Sequence, residues 1–122
     1  AMEYGIYKIT TYGSRKTLDL LEQTREVKAE LKVTFGDKMV INGLDSGQKI
    51  TLTIISYHPE LKNPHNNSTY TEHSRESVYT EDKWKLIGYT FDEEWEMQPG
   101  EWRWEVYYKT EKIYETSFNV TL

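Results

Sequence analysis

The sequence predicts an all-β domain: a two-sheet sandwich of about seven strands, with an up-and-down barrel as the rival way of closing the sheet. Three observations carry this reading. Apolar and polar residues alternate with a period of two in several stretches, which places one face of each strand in a core. Turn-forming residues separate those stretches, and the segments are short and regularly spaced along 122 residues.

Taken in order, Tyr4–Tyr12 reads as the first strand. From Val27 to Phe35 the apolar set Val27, Ala29, Leu31, Val33 and Phe35 alternates with Lys28, Glu30, Lys32 and Thr34. A helix competes there, because Leu20, Thr24, Val27 and Leu31 also fall at helical spacing. The unbroken alternation favours one strand over 24–35. A strand over 38–42 follows, then Asn42-Gly43 and Ser46-Gly47, residues that tolerate positive φ. In the next strand, 49–57, Ile50, Leu52 and Ile54 share one face and Ile55 and Tyr57 the other. His58 to Ser74 is polar and broken by Pro59 and Pro64, so it is expected to be a long, poorly packed loop. Strands at 75–80 and 84–91 come next.

The last third has the clearest pattern. Gln98-Pro99-Gly100-Glu101 matches a type II turn, with glycine at the positive-φ position. Strand 101–109 then alternates Trp102, Trp104, Val106 and Tyr108 against Arg103, Glu105, Tyr107 and Lys109. After a tight turn, strand 112–122 places Tyr114, Phe118, Val120 and Leu122 on one face. Together they predict a C-terminal hairpin with one dry side.

Composition narrows the chemistry. The length fits one domain, 1–122. With no cysteine there is no disulfide, thiolate nucleophile or cysteine-bearing metal site. No apolar run approaches the roughly 18 residues of a membrane-spanning helix. The formal net charge of −5 is concentrated in residues 92–101, which carry five acids and no base and leave 15 acidic against 15 basic residues elsewhere. No basic stripe exists to neutralise phosphates, so neither nucleic acid nor an anionic membrane is an expected partner. Ala1 reads as a cloning remnant ahead of Met2; a start at Met2 predicts a cytoplasmic protein, and a leader removed before it a periplasmic or exported one.

Several short motifs also resemble a known family. Glu3-Tyr4-Gly5-Ile6-Tyr7 is similar to its opening Tyr-Gly strand, and Phe35-Gly36 to its central Phe-Gly. Pro99-Gly100-Glu101-Trp102-Arg103 with Val106, and then Phe118-x-Val120, resemble its C-terminal signature. The family is the bacterial one known as domain of unknown function 3859, and the match spans nearly the whole chain. The resemblance implies an immunoglobulin-like sandwich with no assigned activity and no catalytic residues to carry over.

Candidate sites are few. His58, His65 and His73 stand seven and eight residues apart in or beside the expected loop, a spacing that matches no metal-binding pattern, so they are expected to be solvent-exposed. No metal and no cofactor is expected. The acids Asp92, Glu93, Glu94 and Glu96 could supply a carboxylate pair for hydrolysis, but they lack any sign of burial and read more simply as a solvated connection. Trp95 among them is expected to tuck under the turn near Pro99. Four tryptophans and ten tyrosines could stack a sugar or face a protein partner. Trp102 and Trp104 belong to the core by their alternation, which leaves Tyr89, Trp95 and Tyr107 as candidate binding residues. No Gly-x-Ser-x-Gly elbow or phosphate-cradling glycine loop occurs. The expectation is a non-catalytic binding or interaction module with a protein or carbohydrate ligand. The alternatives are a hydrolase centred on Asp92–Glu96 and an edge-strand assembly protein such as a homodimer.

Overall fold

The computed structural model describes residues 3–81 and 83–122, so the expectations that rest on Ala1 and Met2 lie outside the described residues. Nine strands replace the expected seven: β1 (Glu3–Tyr12), β2 (Arg15–Glu22), β3 (Glu26–Lys28), β4 (Thr34–Val40), β5 (Lys49–Lys62), β6 (Thr69–Thr80), β7 (Trp84–Thr90), β8 (Gly100–Tyr108) and β9 (Glu111–Thr121). They form two separate sheets, ordered β2-β1-β4-β7 and β3-β9-β8-β5-β6, which decides for a sandwich over a barrel. A 3-10 turn, Glu94–Glu96, lies between β7 and β8. No helix among the described residues is long and apolar enough to cross a membrane.

The interior is organised around Phe35 of β4. Its ring lies 5.3 Å from Phe91, 6.0 Å from Trp102, 5.8 Å from Trp104 and 5.4 Å from Phe118, mostly edge-on, the geometry that ring quadrupoles favour. The residue beside it has to be glycine. Gly5, Gly36 and Gly88 stand side by side across β1, β4 and β7. Gly36 has φ +155°, and a Cβ there would lie 2.4 Å from the Ile87 carbonyl oxygen and 2.7 Å from Gly88 Cα. The Phe-Gly pair thus sends one ring into the core and lets two backbones close up next to it.

The expected strand 24–35 is two strands in different sheets. β3 runs parallel to β9, with Val27 opposite Val120, whereas β4 pairs with β1 and β7. A turn at Leu31-Lys32 takes the chain across, with Lys32 at φ 70° and Leu31 about half exposed. Alternation survives the crossing because Val27 and Phe35 face the same shared interior from opposite sheets. The expected strand 38–42 is the end of β4. Strand β2 has no counterpart in the sequence reading: it is an edge strand with no buried residue, so it lacks a dry face to create a period.

The expected loop 58–74 is also corrected. β5 continues to Lys62 and β6 begins at Thr69, so only six residues turn between them, held by backbone bonds from Asn63 to Ser68 and from Asn67 to Asn63. Pro59 sits in a register irregularity between Tyr57 and Leu61, where a strand can accept a residue without an N–H donor. His58 and Leu61 are buried as a result, not solvated. Gly100 does have positive φ, at 131°, but it opens β8 and packs against Pro59.

One side of the sandwich is fastened by a polar clasp. Asp37 on β4 is fully buried and accepts hydrogen bonds from Arg25 at 3.0 Å, from Thr116 of β9 at 2.7 Å and from the Tyr114 hydroxyl. Arg25 also lies 3.7 Å over the Tyr4 ring. A carboxylate without water is tolerated here because a cation and two hydroxyls take up its lone pairs.

Candidate functional site

The opposite side, between β6 and β7, is only partly shut. At one end Tyr79 of β6 is fully buried under Lys85 of β7, whose Nζ stands 5.5 Å from the ring centroid. Further along, the two edge strands leave a cleft of about 280 Å³. Its walls and floor are aromatic: Tyr70, Tyr89, Trp102 and Trp104. That volume lies near the lower end of ligand cavities, roughly 300 Å³ and upward.

Strand periodicity accounts for the lining. Ile54, Ser56 and His58 follow one another on the inner face of β5, and His73 and Arg75 on β6 stand opposite Ser56 and Ile54. His58 stacks 5.0 Å from Trp102 and meets Tyr70 edge-on at 5.3 Å. Its Nδ1 lies 2.8 Å from the Pro59 carbonyl oxygen. A carbonyl can only accept, so Nδ1 carries a proton, and in the tautomer with that single proton Nε2 is an acceptor. The Trp102 indole N–H donates to the Gln98 carbonyl at 3.0 Å, which fixes the floor.

Tyr89 thus lies at the cleft, half-buried, with its ring 5.0 Å from Trp102. Its hydroxyl donates to Glu96; burial first, then that hydrogen bond, push the phenol up, so it stays a neutral donor. Glu96 is committed elsewhere too, accepting the backbone N–H groups of Asp92 at 2.8 Å and Glu93 at 2.9 Å. Trp95, on the same 3-10 turn, is half-buried against the core and donates its indole N–H to Glu93. That bond and a 3.3 Å contact with His65 hold the Glu93 carboxyl below the usual carboxylate range. Asp92 is exposed and 3.5 Å from Lys32. Glu93 and Glu96 therefore hold the 3-10 turn, Glu96 also taking the Tyr89 hydroxyl, and Asp92 is tied to Lys32.

Tyr107 is elsewhere. It lies on the outer face of the five-stranded sheet and donates to Glu105 at 2.9 Å. That bond, more than nearby Arg103, keeps the Glu105 carboxyl below its ordinary range. Arg103 pairs with Glu105 and Glu115 and stacks 4.3 Å over Tyr57, so this face is a knit polar surface. A depression of about 580 Å³ near β9 is lined by two arginines, Arg25 and Arg103, and three glutamates, Glu26, Glu101 and Glu115. Among the described residues no group of three His, Cys, Asp or Glu could hold a metal. The sequence reading missed Tyr70, His58 and Arg75 as cleft residues because it assigned most of that region to a loop. The period-two run Ile54, Ser56, His58 was the available signal.

Comparison with known proteins agrees with this architecture. An immunoglobulin-like protein from Pseudomonas aeruginosa, known from a crystal structure, superposes with a TM-score of 0.78 at 25% sequence identity, covering 99% of this chain and 92% of that one. No curated protein matches the chain. The family model described as domain of unknown function (DUF3859) matches residues 1–120, and the chain therefore belongs to that family.

Proposed function

We propose that the protein is a non-catalytic binding module whose ligand enters the cleft between β6 and β7. One observation carries this reading: the sandwich leaves an aromatic-walled cavity between two edge strands, with His58 and Arg75 at its lining, while the opposite side is fastened by Asp37 and Arg25. Concave, mostly apolar sites with a few placed polar groups are where small ligands bind. The engagement of Glu93 and Glu96 in holding the 3-10 turn supports binding over hydrolysis. Saturation-transfer NMR with small aromatic and sugar probes, run on the natural chain and on His73→Trp, tests it. The new indole would obstruct the cleft mouth, so probe signals should disappear in the variant while its melting temperature holds. Equal signals in both proteins would overturn the reading.

A second reading has its own observation. Beyond Tyr7, β1 pairs only with β2, so a two-stranded ribbon projects from the sandwich with Ile9 40% and Leu21 63% exposed. Such ribbons are marginal alone, and a second copy covering this one would make the chain a homodimer. Sedimentation of the natural chain and Leu21→Glu decides: dimer lost on substitution supports it, monomer throughout removes it.

A further inference from the structure

Within the cleft reading, which this inference rests on, the lining points to a class of ligand. Twenty of 122 residues are acidic, yet none of them lines the cleft. The nearest carboxylate engaged with its wall, Glu96, already receives the Tyr89 hydroxyl and two backbone amides. What the lining offers is Arg75 with His73 beside it on the same face of β6. Arg25 is locked onto Asp37, and Arg103 is shared between Glu105 and Glu115. Arg75 makes no ion pair among the described residues. Its planar guanidinium is thus available for a carboxylate, which it can grip with two parallel hydrogen bonds.

The other end of the cleft has a complementary feature. In the tautomer that donates its single N–H from Nδ1 to the Pro59 carbonyl, His58 Nε2 is an acceptor. Arg75 is level with Ile54, four residues before His58 on β5. At strand rise this is about 13 Å along the sheet, a span that the long arginine side chain shortens. Trp104 stands level with Ser56 between the two, Trp102 and Tyr70 pack against His58, and Tyr89 packs against Trp102.

We infer that the cleft takes a small, flat organic anion: an aromatic ring seated among Tyr70, Tyr89 and the tryptophans, with a carboxylate on Arg75. A hydroxyl at the far end of the ring would donate to His58. Charge complementarity favours this occupant over a neutral sugar, because a sugar offers the guanidinium hydrogen-bond acceptors but no opposite charge.

The probe is 4-hydroxyphenylacetate, with its neutral counterpart 4-hydroxyphenylethanol and the sugar maltose as controls. Each is titrated into isotope-labelled protein while the indole N–H signals of Trp102 and Trp104 and the Gly88 amide are followed. The carboxylate should shift those signals saturably, the neutral alcohol should bind at least about tenfold more weakly, and Arg75→Gln should abolish that preference. Arg75 is exposed, so the variant's unchanged melting temperature serves as the folding control. If the alcohol or maltose shifts the same signals equally well in both proteins, the anionic class fails and the cleft reading stands. If none of the three shifts them at millimolar concentration, both fail.

Discussion

The two sides of this sandwich treat an arginine in opposite ways. Beside β9, Arg25 is stacked on Tyr4 and bonded to a carboxylate that has no contact with water, and the pair joins the four-stranded sheet to the five-stranded one. Between β6 and β7, Arg75 faces a cleft with no ion-pair partner among the described residues. One charge closes the fold and the other is left for a visitor. Stability and binding are thereby placed on different flanks, which is how a rigid frame can keep an open site without being loosened by it.

The largest effect should come from breaking the clasp. Asp37→Ala leaves Arg25, Thr116 and the Tyr114 hydroxyl without their common acceptor, and each of the two stranded hydroxyls costs about 1 to 3 kcal/mol. Chemical denaturation measures it, and a loss near zero would mean that the clasp is incidental. Tyrosine-to-phenylalanine changes sharpen the comparison, since the same deletion has different consequences on the two sides. Tyr114→Phe removes a hydroxyl donated to a carboxylate and should cost about 1.5 to 3 kcal/mol. Tyr79→Phe removes a buried hydroxyl that has no hydrogen-bond partner among the described residues and should be neutral or stabilising by up to about 1 kcal/mol.

Alkaline pH gives a related readout. Burial pushes the Tyr79 phenol up from 10.0 to about 12. Its folded state holds the proton more tightly than the unfolded chain, so the contribution is complete below pH 10 and is lost as pH rises through about 12. The natural chain should lose on the order of 2 kcal/mol across that window through this residue, and Tyr79→Phe should lose less. Identical pH profiles for the two proteins would contradict the assignment.

How much of this was legible in the sequence follows from which residues have a dry face. Trp102, Trp104, Phe118 and Val120 alternate with polar residues on strands buried on one side, and all four are in the core as expected. The motif residues Tyr4-Gly5 and Phe35-Gly36 pointed to the immunoglobulin-like fold, and the close approach of Gly5 to the Glu22 backbone and of Gly36 to Gly88 gives them a physical reason. β2 was silent because an edge strand exposed on both faces leaves no periodicity. The β5–β6 arms were read as loop because prolines and histidines mark turns in sequence, whereas a strand irregularity absorbs Pro59 and aromatic stacking buries His58. The clasp was invisible for another reason: Arg25, Asp37, Tyr114 and Thr116 are brought together only by the packing of two sheets, and no local spacing encodes that. Of the three expected binding residues, Tyr89 borders the cleft, Trp95 lies on the adjoining turn and Tyr107 is on the outer sheet face.

The most direct test of the division between the flanks compares two single substitutions that remove the same charge, Arg25→Gln and Arg75→Gln, by equilibrium denaturation in one buffer. Arg25→Gln should lower stability by about 3 kcal/mol or more, because it strands the Asp37 carboxylate in the interior. Arg75→Gln should stay within about 0.5 kcal/mol of the natural chain, as exposed residues without a structural role do. Equal losses from the two substitutions would contradict the account.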